Sequence, residues 1–127
     1  NPEYTVIGAD TIVFINDTIL NKPLNISEAK KMLTLLSGKT HKVLTGVSLQ
    51  NQTLNINSTF FDISEVKFYP LTNSEINNYI ARYNPLDKAG SYGIQDGSAM
   101  FIDRINGSYD NIMGFPISKF YQVLKLI

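Results

Sequence analysis

From Val6 to Ile15 the chain is mostly apolar and β-branched, interrupted only by Gly8, Asp10 and Thr11. That pattern predicts a strand with a carboxylate in its middle or at a bulge, followed by an Asn16-Asp17 turn and a short strand Thr18-Ile19-Leu20. Asn25, three residues before Glu28, predicts a helix N-cap. Ala29, Met32, Leu33 and Leu36 follow at helical spacing, and Gly38 is placed to close the helix. His41 to Gln50 returns to strand character, with Val43, Thr45 and Val47 expected on one face and Leu44 and Leu49 towards the other. Asn51-Gln52 reads as a turn, and Thr53 to Phe68 as one long strand or two. Together they predict a hairpin solvated on one side.

Pro70 breaks this pattern. Thr72 with Glu75 predicts a capping box opening a helix through Ile76, Tyr79, Ile80 and Tyr83, which Asn84-Pro85 ends. Residues 85–97 contain three glycines and are long for a mere connection, so they are a candidate binding loop. Ala99 to Ile105 reads as a short strand and Asn106-Gly107 as a turn. Pro116 opens a last helix with an apolar stripe of Ile117, Phe120, Tyr121 and Leu124. Antiparallel hairpins mixed with helices predict one α/β or α+β domain.

Composition narrows the function. At 127 residues the chain suits a single core, and 43% hydrophobic content argues against disorder. Lys+Arg and Asp+Glu both total 11, so there is no basic excess to suggest nucleic-acid binding. There is no cysteine, which excludes disulfides, thiolate nucleophiles and cysteine zinc sites. No apolar run approaches the ~18 residues of a membrane span. A cytoplasmic enzyme or binding domain is the expectation. With one histidine, a metal would be held by oxygen ligands, which favours Mg²⁺ or Mn²⁺ with ligands the sequence does not identify.

Asp10 needs a reason to sit between two β-forming runs, either a turn in which it bonds backbone N–H groups or a catalytic or metal-facing place. Four blocks bear on this choice by resemblance. Gly8-Ala9-Asp10-Thr11 with Lys22-Pro23, the segment Leu36 to Gly46, the segment Pro85 to Gln95, and the segment Ile105 to Pro116 resemble, in order, the Maf family of nucleoside triphosphate pyrophosphatases. The Gly-Ala-Asp-Thr form resembles the branch acting on dTTP and UTP. The resemblance implies an elongated mixed sheet flanked by helices, as in inosine-triphosphate pyrophosphatases, with a cleft between two lobes. It also implies that the family's opening strand, its Ser-x-Ser-Pro-Arg-Arg loop and the following helix are missing from a single Maf-like domain at 1–127. The chain is then expected to be a fragment or shortened copy with little activity of its own.

The implied reaction is attack of water on the α-phosphorus, which needs a base, a divalent cation and positive charge for the departing pyrophosphate. Asp10 matches the family's catalytic acid and is expected to be the general base. Asp87, Lys22 and Lys88 lie in matched blocks and are expected at the substrate. Read without the resemblance, they are a turn aspartate and two solvated loop lysines. The Gln95 amide can donate and accept at a uracil or thymine edge. Thr11 matches a position linked to substrate choice, although it also reads as an ordinary strand threonine. His41 is expected to be structural, Tyr79 and Tyr83 to pack a helix, and Ser108 and Asn111 are candidates for the cleft wall. The rival reading is a nucleotide-binding regulatory protein without turnover, linked to septum formation. A homodimer is the expected assembly if there is one.

Overall fold

β1 (Val6–Ile15), β2 (Thr18–Leu20), β3 (Thr40–Asn51), β4 (Ile56–Phe68) and β5 (Ile102–Asn106) form one sheet in the order β2-β1-β3-β4-β5. The computed structural model describes residues 3–127. Every neighbouring pair is antiparallel, because tight turns join β1 to β2 and β3 to β4, and antiparallel strands need no crossover. The anticipated α/β class, a sheet flanked by helices, is borne out. α1 (Ile26–Leu36), α2 (Asn73–Arg82), α3 (Tyr109–Met113) and α4 (Ile117–Leu124) supply the helices.

The two main helices begin where local chemistry says they should. Asn25 Oδ1 accepts from the Glu28 N–H at 2.8 Å, and Thr72 with Glu75 forms a reciprocal capping box. α1 buries Ala29, Met32, Leu33 and Leu36, and Gly38 turns the chain out of it at φ +68°. Met32, Leu33 and Leu36 join Val13, Ile15, Val43, Val66, Phe68, Ile76 and Tyr79 in one core under one face of the sheet.

Three expectations are corrected. Leu49 lies on the same face as Val43, Thr45 and Val47 and is 1% exposed, since a two-residue period puts every odd position of β3 on the core side. Ala99–Phe101 is not strand but the end of a 3₁₀ turn, Gly97–Phe101, and β5 begins only at Ile102. Asp96 starts that turn by accepting the Ser98 N–H at 2.9 Å, an Asx-type bond that competes with extended backbone. The stripe of α4 is not core: the helix has no buried residue, and Ile117 and Tyr121 are about 60% exposed. Only Phe120 reaches inward, towards Phe60 and Phe115. α3, which no repeat in the sequence announced, is a single turn capped by Ser108.

Candidate functional site

The site is built where β1 becomes an edge. β2 pairs only with Val13, Phe14 and Ile15, so among the described residues Val6–Ile12 have a neighbour on the β3 side alone. Asp10 and Thr11 point to opposite faces of the strand, yet both line one cavity that laps over this edge. The cavity measures about 630 Å³, a size suited to a nucleotide-like ligand.

The loop from α2 to β5 forms the opposite wall through 3₁₀ turns at Pro85–Asp87 and Ala89–Ser91. Gly90 and Ser91 both have positive φ, +73° and +75°, which is costly for serine and is held by full burial and a contact of its hydroxyl with the Met32 sulfur. A Cβ on Gly90 would lie 3.0 Å from Val13, so glycine lets the loop close onto β1. Gly90 also donates its N–H to the Asn21 carbonyl at 3.4 Å, which brings the Lys22 segment beside the Lys88 segment.

All six residues singled out in the sequence line this cavity: Asp10, Thr11, Lys22, Asp87, Lys88 and Gln95. Asp10 is exposed, with one oxygen accepting the Thr11 N–H at 3.0 Å. Lys88 lies 3.3 Å from Asp87 Oδ1 and donates to the Asn84 carbonyl at the same distance. The Thr11 hydroxyl is engaged in structure, 2.8 Å from the Thr45 hydroxyl, which in turn donates to the Asn111 carbonyl. Other lining residues include Tyr92, Ile94 and Asp96, which lie in the candidate binding loop but were not singled out individually, and Ile112 and Gly114. The aromatic and aliphatic members carry only the ordinary signal of core residues. Asp96 could have been found from its place beside Gln95.

Ser108 and Asn111 do not line the cavity; they support it from behind. The Asn111 amide is fully buried and donates to the Val43 carbonyl at 3.1 Å and to Ser64 Oγ at 3.0 Å, stitching α3 to β3 and β4. His41 is buried behind the wall, its Nε2 2.6 Å from the Tyr92 hydroxyl and its ring edge-on to Phe68. Burial pushes its pKa from 6.5 down to about 4, so the imidazole is neutral, and burial likewise raises the Tyr92 phenol. The structural reading of His41 stands.

Among the described residues no three His, Asp or Glu side chains cluster closely enough to hold a metal ion unaided. No helix among them is long and apolar enough to cross a membrane. A mostly apolar cavity at a sheet edge, walled by a glycine-bearing loop and lined by both carboxylates and lysines, is the feature of this α/β fold that has the form of a small-molecule site. More particularly, this chain belongs to the Maf-like protein family, whose sequence model matches residues 1–127. It is 52% identical over 125 residues to the dTTP/UTP pyrophosphatase of Bacillus pumilus (strain SAFR-032), an alignment covering 98% of this chain and 65% of that protein. The dTTP/UTP pyrophosphatases of Bacillus thuringiensis subsp. konkukian (strain 97-27) and Bacillus cytotoxicus are each 50% identical, over 98% and 97% of this chain and 64% and 63% of their own lengths. The chain thus spans just under two thirds of the length of these relatives.

Proposed function

We propose that the chain is the catalytic part of a nucleoside triphosphate pyrophosphatase that converts dTTP or UTP to the monophosphate and pyrophosphate. The observation that carries this reading is the convergence of Asp10, Lys22, Lys88 and Gln95, from distant parts of the sequence, on one cavity. The names of the Bacillus relatives support it.

Asp10 accepts the proton of the water that attacks the α-phosphorus. Its exposure leaves a carboxylate oxygen open to that water. Lys22 and Lys88 neutralise the phosphate chain and the pyrophosphate that departs. Gln95 faces the base, where an amide matches two carbonyls flanking an N–H. Thr11, its hydroxyl 2.8 Å from that of Thr45, ties the strand to β3 beside the acid.

A divalent cation fits the charge of the cavity. Two lysines face three carboxylates, Asp10, Asp87 and Asp96, so a polyanionic substrate needs further positive charge. Mg²⁺ or Mn²⁺ carried on the phosphates would need only one or two protein carboxylates, and Asp87, which lines the cavity, is the acid left to supply one when Asp10 serves as the base. The ion supplies charge neutralisation at the phosphoryl oxygens.

The test is the release of pyrophosphate from dTTP with Mn²⁺ by a protein that carries this chain at the full length of its relatives. Equal amounts of dTMP and pyrophosphate are expected, with Asp10→Asn lowering kcat by about 10²–10⁴ while the fold persists. Full turnover by a folded Asp10→Asn protein removes Asp10 from the reaction. Binding of dTTP without any dTMP formed assigns the chain to nucleotide binding instead.

A further inference from the structure

α2 presents Tyr79 to the segment 93–97, and Tyr83, the residue that ends the helix, lies beside it. The Tyr79 ring is buried against Tyr83 and Phe101, at centroid distances of 5.1 and 5.4 Å. Its hydroxyl donates to Asp96 Oδ2 at 2.7 Å and accepts the Gly93 N–H at 3.2 Å. Burial first, and then the bond to Asp96, raise its pKa, so the hydroxyl keeps its proton and remains a donor.

The turn closes on itself around this hydroxyl. Asp96 donates its N–H to the Gly93 carbonyl at 3.2 Å, and Ser98 Oγ donates to the same carbonyl at 2.7 Å. The second Asp96 oxygen accepts the Ser98 N–H. Two glycines make the fit possible. A Cβ on Gly93 would stand 2.6 Å from Lys88 Cε, and one on Gly97 would stand 2.6 Å from the Tyr83 ring. Between these fixed ends lie Ile94 and Gln95, both lining the cavity, while Tyr79 itself does not. The Gln95 amide has no hydrogen-bond partner among the described residues, so its aim depends on the backbone that carries it.

We propose that Tyr79 is a positioning residue whose hydroxyl fixes the Gly93–Asp96 turn and thereby sets how Gln95 meets the base of a pyrimidine nucleoside triphosphate. The inference rests on the nucleotide reading of the cavity and adds to it a residue outside the cavity that governs base recognition. Loss of the hydroxyl loosens the base end and leaves the phosphate end in place.

Tyr79→Phe keeps the ring and removes both bonds. Amide hydrogen exchange at residues 93–96 and calorimetric affinities for dTTP and for inorganic pyrophosphate, each with Mg²⁺, are compared with the unmodified chain. Exchange is expected to quicken and dTTP affinity to fall, each by about tenfold, while pyrophosphate affinity stays within about twofold. Unchanged exchange, or equal losses for both ligands, overturns the proposal. Asp96→Asn retains an acceptor for the Tyr79 hydroxyl and is expected to lose less dTTP affinity than Tyr79→Phe. A larger loss would place the effect in the carboxylate charge and overturn the proposal. If the unmodified chain binds neither ligand, the nucleotide reading itself fails, and the exchange measurement alone then decides whether Tyr79 holds the turn.

Discussion

His41 shows how one residue ties the cavity wall to solution conditions. The folded protein holds its imidazole at a pKa of about 4, against 6.5 for an ordinary histidine. Between those values the unfolded chain binds a proton that the folded chain refuses. Stability is therefore complete above pH 6.5 and falls as the pH drops towards 4, by up to about 3 kcal/mol from this group. Urea unfolding midpoints measured from pH 7 to 4 are expected to decline more steeply for the natural chain than for His41→Gln. Parallel slopes would remove His41 from the acid sensitivity. Residue chemistry of this kind was partly legible. A lone histidine opening a strand reads correctly as a core group, and Asp10 stands out because carboxylates are rare between β-forming runs. Asp96 and Tyr79 did not stand out, because their importance lies in a contact between them across 17 residues.

Among the elements, those with local start and stop signals were legible and those defined by tertiary packing were not. The capping residues of α1 and α2 and the turn after β1 are written in adjacent side chains. The Gly97–Phe101 turn and the exposed stripe of α4 depend on what lies against them, and residue periodicity carries no such information. α2 matters twice, since it covers the core and grips the loop. Thr72→Ala removes the acceptor for the Glu75 N–H and is expected to cost about 1 kcal/mol. Thermal unfolding measures this, and no shift in midpoint would show that the cap contributes nothing. The same substitution should leave the Tyr79 hydroxyl bonded, because that residue sits near the far end of the helix.

For the whole molecule, neutrality conceals an uneven distribution of charge. Acidic and basic residues balance, yet neither arginine, Arg82 nor Arg104, lines the cavity. A charge-assisted contact contributes about 1.5–3 kcal/mol, so a phosphate chain that meets only two lysines among the described residues of the cavity would lean on a cation. Chelating divalent ions is expected to weaken dTTP binding by about tenfold or more, and calorimetry with and without EDTA checks it. Equal affinity in both would assign the charge balance to protein groups alone. The stitching at Asn111 also sets a timetable for synthesis. Its amide partners lie 68 and 47 residues earlier in the chain, and Gly114 meets Thr11 across 103. On a ribosome β1, carrying Asp10, emerges about a hundred residues ahead of Gly114, and the wall behind it closes only after residue 114 has been made. A nascent chain halted before Asn111 holds the acid without the enclosure, and so capture of a nucleotide during translation would mark the moment when the last of these segments arrives.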